Sequence, residues 1–450
     1  MPKLRPRPRL VRAACAALLL GIAFPSAIAD EIVIERTLEA APGYPRVHVQ
    51  LLRQGEPITG RGAALGGLDA LQGLGDMNDL DAMLDDLLAP QDQRVDSFPA
   101  FLDTGASGYV VSKSTAERFG LERVAGSRYH EVGLDGEIVL DVSEPYDTAL
   151  ADSTGRLRDT PGDFRRGERD VRLMLKRQPP ANPLIEMTMG AIDVVGMPAI
   201  RHFVVELDPG PMGAGGGGIA DMLGELQGAD PLAGMNLLDH LDELGMGPAV
   251  TLHDRAHRPA DVDLVIQMRY REYARRQNPR DRGPLPSLAS HPVLVDLTTR
   301  HDDAAFTGDW LLDTGAPVSI ISTAHAAALG LYDDEGEPVG RPDFVMSLAG
   351  VGGDIRAIGG YRVDELRVPA AGGRELVYRD VHVLVTDISV TLDSGETVTL
   401  EGLFGTNLLL PTVAGLGVGL GLPTQVAPGP FERVWIDGPR GRLLLRLADR

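Results

Sequence analysis

Apolar and polar positions along the chain alternate in short runs that favour strands over long helices. Pro45–Leu51 (PRVHVQL) and Pro292–Leu297 (PVLVDL) alternate with the period of two that a half-buried strand requires. Phe101–Leu121 reads FLDTGASGYVVSKSTAERFGL, and Leu311–Leu331 reads LLDTGAPVSIISTAHAAALGL. Each predicts a strand, a tight turn, a second strand and a short helix, with Ser112 or Ser322 as N-cap and Gly120 or Gly330 as terminator. His130–Val139 (HEVGLDGEIV) and Leu348–Ala357 (LAGVGGDIRA) are glycine-tipped and predict hairpins. The 54 glycines and 33 prolines punctuate the chain into many turns, so an all-β fold with a few short helices is expected. A small acidic helix is predicted over Asn78–Ala89, with Leu80, Met83, Leu84 and Leu87 on one face and Pro90 at its end.

The two Asp-containing segments align without a gap at an offset of 210 residues. They share Leu102/Leu312, the whole of Asp-Thr-Gly-Ala, Ser112/Ser322, Ala116/Ala326, Gly120/Gly330 and Leu121/Leu331. Further on, Leu232-Ala233-Gly234 precedes MNLL and Leu403-Phe404-Gly405 precedes TNLLL, so each half carries strand, D-T-G-A, hairpin and apolar-apolar-Gly in that order. The expected organisation is a leader at 1–29, a first half at 30–254 with an insertion at 60–93, a linker at 255–290 and a second half at 291–450. Arginines 271, 275, 276, 280 and 282 with Pro279, Pro284 and Pro286 make the linker read as a basic helix followed by a connector.

The first residues carry Lys3, Arg5, Arg7, Arg9 and Arg12, then an apolar run from Ala13 to Phe24 and a small-residue site at Ala27-Ile28-Ala29. That pattern predicts an export signal and a periplasmic or secreted destination. The only cysteine, Cys15, lies in this leader, so no disulfide is expected in the exported chain. Arginine far outnumbers lysine, which fits a GC-rich bacterial genome. A formal net charge of −21 speaks against nucleic acid as a partner, because such binding neutralises phosphates with Lys and Arg. Gly402–Pro430 is uncharged, yet Asn407, Pro411 and several glycines argue for buried strands and loops and against a stable membrane span. His253 and His257 have no evident third partner, and Gly215–Gly218 lacks the Lys-Ser/Thr of a phosphate loop. No metal and no organic cofactor are expected.

A single Asp-Thr-Gly is a weak signal; two copies inside a gapless repeat carry chemistry. Amide hydrolysis needs an activated water and a proton donor for the departing amine. Two carboxyls within hydrogen-bonding distance share one proton, so the pair supplies base and acid together. Asp103 and Asp313 are the candidates, Gly105 and Gly315 let each turn bend, and Thr104 and Thr314 offer hydroxyls to link the turns. The FLDTGAS and LLDTGAP segments, the apolar-apolar-Gly elements and the intervening hairpins resemble those of the aspartic peptidases, pepsin-like and retropepsin-like. The resemblance covers most of 45–250 and 291–450, and the motif neighbourhoods are its specific part.

That resemblance implies a bilobal acid-protease fold with pseudo-two-fold symmetry and an aspartic endopeptidase acting on a peptide or protein substrate. It implies Asp103 and Asp313 as the catalytic pair, Thr104 and Thr314 as the grip between lobes, and Gly234 and Gly405 as supports beneath the turns. Flap tips fall at Gly133, Asp135 and Gly136 and at Gly350, Gly352 and Gly353, with Tyr129 close to the first. Ala106 and Ala316 stand where pepsin-like enzymes carry a hydroxyl, as in retropepsins. Losing that hydrogen bond to the charged form implies a mildly acidic to near-neutral optimum. One chain holds both motifs, so a monomer is expected to complete the site, with a homodimer as the other arrangement. The rival class is an exported peptide-binding or scaffold protein that keeps this fold without turnover.

Overall fold

Strands carry nearly all the regular structure in the computed structural model, which describes residues 30–61, 94–133, 136–156, 159–178, 192–210, 247–273, 283–349, 355–391, 397–414 and 425–448. The expected leader, the acidic helix Asn78–Ala89, Gly234, Asp135, Gly350, Gly352 and Gly353 lie outside the described residues. Three short α-helices occur among the described residues: Lys113–Arg118, Met197–Ile200 and Thr323–Ala328. None of them is long and apolar enough to cross a membrane. The all-β class expected from the alternation is therefore correct at the level of secondary structure.

The two halves arrange seven strands in the same order. In the first half the neighbours run Arg123–Gly133, Gly136–Ala151, Val171–Leu175, Val110–Val111, Val194–Val195, Phe98–Leu102 and Arg46–Arg53. In the second they run Phe344–Ala349, Ile355–Ala370, Arg374–Val385, Ser319–Ile321, Gly402–Phe404, Ala304–Leu312 and His291–His301. Both sets also close on themselves: His48–Leu52 pairs with Asp147–Ala151, and Thr298–Arg300 pairs with Glu365–Arg367. Val47, Val49 and Leu51 in one half are fully buried, as period-two patterning requires; in the other, Val293 and Leu294 are buried on opposite faces and a register shift brings Leu297 to the face of Leu294.

The halves are tied together by strands outside these sets. Val204–Asp208 follows the first set and pairs antiparallel with Phe431–Asp437, which follows the second. Ala249–His253 and Arg442–Leu447 flank this central pair on its two sides. Asp30–Ile34 crosses to pair parallel with Arg374–Tyr378 of the second half. Within the stretch 255–290 the strand Leu264–Arg271 bridges Arg442–Leu445 and His291–Leu294, while Arg275, Arg276, Arg280 and Arg282 of the expected basic helix lie outside the described residues. Leu264, Ile266 and Met268 face inward from it, and burial of that alternating apolar row favours a strand. The residues flanking 62–93, which lie outside the described residues, form a two-residue ladder, Gly60 opposite Val95 and Arg61 opposite Arg94.

Candidate functional site

Each Asp-Thr-Gly turn leaves the end of a strand buried between neighbours. Val194-Val195 pairs parallel with Phe101-Leu102 and, at Val194, antiparallel with Val110. Leu403-Phe404 does the same beside Leu311-Leu312 and Ile320. The inserted strand fixes the acid's own backbone: Asp103 N–H donates to the Val195 carbonyl at 3.0 Å, and Asp313 N–H to the Phe404 carbonyl at 3.0 Å. One residue later comes a glycine in both halves. A Cβ on Gly196 would run into the Ala106 and Gly108 carbonyls, and one on Gly405 would lie 2.6 Å from the Val318 carbonyl oxygen. The chain then locks the far side of each turn, with Met197 N–H donating to the Ala106 carbonyl at 3.0 Å and Thr406 N–H to the Ala316 carbonyl at 2.9 Å.

The two turns meet. Thr104 Oγ1 donates to the Leu312 carbonyl at 2.6 Å and accepts from Thr314 N–H at 3.0 Å. Reciprocally, Thr314 Oγ1 donates to the Leu102 carbonyl at 2.6 Å and accepts from Thr104 N–H at 3.1 Å. Both threonines are fully buried, so each hydroxyl satisfies two backbone groups that water cannot reach. Within each turn the glycine N–H donates to the acid before it, Gly105 to Asp103 Oδ1 at 2.7 Å and Gly315 to Asp313 Oδ1 at 2.8 Å. The acids lie across from the opposite glycine. A Cβ on Gly105 would sit 2.5 Å from Asp313 Cγ, and one on Gly315 would sit 2.5 Å from Asp103 Cγ. No residue with a side chain fits there.

Both acids are half-buried. Burial raises the Asp313 carboxyl well above the ordinary carboxylate range, and the negative charge of Asp103 and their shared hydrogen bond add to it. Burial also raises Asp103, opposed by the hydrogen bond from Asp313 and by the N–H groups of Gly105, Ala106 and Gly315. The pair therefore holds one proton in common.

The sequence-predicted residues fall into three groups. Asp103, Thr104, Gly105, Asp313, Thr314, Gly315 and Gly405 are brought together at one place. The hairpins exist as expected: Gly133 faces Gly136 at the end of one, and Ala349 faces Ile355 at the end of the other. Tyr129 points into the apolar wall of the first hairpin and is only 1% exposed. Gly234 lies outside the described residues, and the place that Gly405 holds in the second half is held in the first by Gly196, which sequence reasoning missed. Its signal was present in the spacing, since Gly196 follows Asp103 by 93 residues and Gly405 follows Asp313 by 92. Asp193 was also missed. It is buried beside Val194, where its carboxylate accepts from Ser112 N–H and from the Thr115 hydroxyl, each at 2.6 Å, and braces the helix after the turn. In the second half the Glu401 carbonyl takes this place, accepting from Ser322 N–H at 3.3 Å.

Two further residues act near the pair, each directly before a proline, Tyr44 before Pro45 and His291 before Pro292. Tyr44 feels the charge of Asp313, and burial together with that charge pushes its hydroxyl up to about 12. His291 is 6% exposed, and burial pushes it down to about 4, opposed by the nearby backbone of Arg271 and Gly105. Elsewhere, His253 and His257 stack with ring centroids 4.0 Å apart, and His253 bonds the Glu206 carboxylate at 2.8 Å. No protein-family model matches the chain, and no curated protein matches it.

Proposed function

We propose that the protein is an aspartic-type endopeptidase with a bilobal acid-protease fold, its lobes related by a pseudo-two-fold axis through the Thr104–Thr314 contact. The carrying observation is the meeting of two matched turns that set Asp103 and Asp313 against each other's glycines, with Thr104 and Thr314 exchanging bonds across the junction. The identical strand order of the two halves supports the symmetry.

In this reading an extended peptide lies over the pair with a water held between the carboxyls. The ionised carboxylate, Asp103, takes a proton from the water as its oxygen attacks the scissile carbonyl carbon. Asp313 gives its proton to the carbonyl oxygen, producing a neutral tetrahedral diol. Asp103 then returns the acquired proton to the amide nitrogen while Asp313 recovers one from a diol hydroxyl. The C–N bond breaks, releasing a carboxylic acid and an amine, and the pair again holds one proton. Raised carboxyl affinities with alanines at 106 and 316 support working pH in the mildly acidic to near-neutral range.

Incubating the full chain with a diverse peptide mixture, with and without a statine-type inhibitor, and reading products by mass spectrometry tests the proposal. Inhibitor-sensitive internal cleavage that disappears in both Asp103→Asn and Asp313→Asn is expected. Cleavage surviving either substitution would overturn the assignment.

A further inference from the structure

The helix after each Asp-Thr-Gly-Ala turn is braced to the residue just before the inserted strand, and the two halves build that brace differently. In the first half the residue is Asp193, whose carboxylate takes the Ser112 N–H and the Thr115 hydroxyl. In the second half His325 stands at the repeat offset of 210 from Thr115, fully buried on the helix Thr323–Ala328. Its Nδ1 lies 3.1 Å from the Glu401 carbonyl. A carbonyl can only accept, so Nδ1 carries the proton and the imidazole donates. Burial pushes the ring down to about 4, opposed by that carbonyl, which leaves it neutral at higher pH.

Glu401 is held from two directions. Its carbonyl takes His325 Nδ1–H and, at 3.3 Å, Ser322 N–H from the helix. Its Oε2 accepts from Asp309 N–H at 2.7 Å, on the strand that ends at Leu312. Asp309 turns its own carboxylate to Arg271. A Cβ on Gly308 would sit 2.7 Å from Glu401 Oε2, so the carboxylate reaches this strand where a side chain is missing. The imidazole packs on the same strand, with its centroid 4.1 Å from the Phe306 ring and 5.8 Å from that of Trp310, itself fully buried. A Cβ on Gly402 would run into the Trp310 indole, so the inserted strand starts flat against these rings. Asp313 lies four residues beyond Asp309, and its N–H donates to Phe404, three residues beyond Glu401. Two short stretches of chain thus lead from the histidine's brace to the acid.

Resting on the endopeptidase reading, we propose that His325 is a positioning residue for Asp313: its Nδ1–H bond to the Glu401 carbonyl fixes the inserted strand and, through the Phe404 carbonyl, the placement of the second turn against the first. The imidazole touches no substrate and moves no proton. Its Nε2 has no partner among the described residues, so its hydrogen bonding rests on Nδ1. The two braces use unrelated chemistry, hydroxyl to carboxylate in one half and imidazole to carbonyl in the other, at the same place in the fold. What each turn requires is therefore a fixed strand beside it, whichever group supplies the bond. A catalytic carboxyl has to stay within about 0.5 Å of its productive position, so a loosened strand shows first in the rate.

The test follows peptide turnover by the full chain, and amide hydrogen exchange by mass spectrometry, in three variants. His325→Phe keeps a ring and loses the donor; kcat should fall about 30-fold with KM within about twofold of the parent. His325→Asn puts an amide nitrogen where Nδ1 stands and should recover kcat to within about fivefold of the parent. His325→Gln, whose amide reaches the Nε2 position, should not recover it. In His325→Phe the alkaline limb of kcat/KM should move to lower pH, because carboxyls farther apart hold their common proton less tightly. Exchange should quicken across 313–316 and stay unchanged across 103–106. A fully active His325→Phe protein, a loss confined to KM, or an unmoved limb overturns the positioning role and leaves the endopeptidase reading standing. Should His325→Phe not fold, the asparagine and glutamine variants carry the comparison, and equal rates in those two overturn the role. Absence of hydrolysis by the parent overturns the endopeptidase reading, and exchange then decides the brace. Faster exchange confined to 313–316 in His325→Phe upholds it; unchanged exchange overturns both.

Discussion

Replacing Thr104 by valine removes a hydroxyl from the junction while keeping the shape of the side chain. Thr104 is fully buried, so no water can take over its role. The substitution deletes the 2.6 Å bond to the Leu312 carbonyl and the 3.0 Å bond from Thr314 N–H, leaving one acceptor and one donor unpaired. A neutral hydrogen bond contributes about 1 kcal/mol net, and a buried group left without its partner costs about 1–3 kcal/mol. Two such groups, with partial relaxation, make a loss of about 2–4 kcal/mol the expected outcome. In a chain of this size that corresponds to roughly 3–6 °C in melting temperature, extrapolating the size scaling. Thr314→Val should cost about the same, because it strips the Leu102 carbonyl and Thr104 N–H in the same way. The four bonds interlock, so the double variant should lose less than the sum of the singles, with a coupling of about 1 kcal/mol. Activity should fall further than stability, about 100-fold in kcat, because a shift of about 1 Å between the carboxyls spoils the shared proton and the water position. Scanning calorimetry and peptide turnover on the single and double variants check this. A Thr104→Val protein melting within about 1 °C of the parent, with unchanged kcat and strictly additive effects, would falsify the idea that the hydroxyls hold the turns in register.

Three other perturbations follow from the same geometry. Burial and mutual repulsion raise the carboxyl affinities in the folded chain, so the folded state binds more protons than the unfolded one. That stability is fully present below about pH 4 and is lost as pH rises through the folded values. Asp103→Asn and Asp313→Asn should therefore raise the melting temperature at pH 7 more than at pH 3, and equal shifts at the two pH values would contradict the buried-pair account. Gly105→Ala or Gly315→Ala places a Cβ 2.5 Å from the opposing Cγ and should lower kcat at least 100-fold with little loss of circular dichroism signal. Retained turnover would mean that the carboxyls are not held across from these glycines. Burial pushes His291 and His325 down to about 4 each, so the unfolded chain, with histidines near 6.5, takes up these protons first. Their contribution is whole above pH 6.5 and is lost as pH falls toward 4, by about 2–3 kcal/mol per site. His291→Phe and His325→Phe should each flatten the fall in melting temperature across that window; an unchanged slope would show that neither site is a source of acid sensitivity.

Local pattern by itself determined much of this protein. The alternation in PRVHVQL and PVLVDL, the serines that cap Lys113–Arg118 and Thr323–Ala328, and the glycines that end those helices all act between residues a few positions apart. Periodicity and capping therefore reveal them. The duplicated Asp-Thr-Gly-Ala identified the candidate acids for the same reason. Gly196 and Leu264–Arg271 show where local pattern stops. An apolar pair followed by glycine recurs often in a glycine-rich chain, and only pairing between Val194-Val195 and Phe101-Leu102 selects one copy. Leu264, Ile266 and Met268 alternate correctly, yet their strand exists because Arg442–Leu445 and His291–Leu294 lie on its two sides. The sharing of one proton by Asp103 and Asp313 is likewise a tertiary result. It depends on two turns 210 residues apart being pressed together in a place where water is scarce, and desolvation and charge repulsion act through space, without regard to position along the chain.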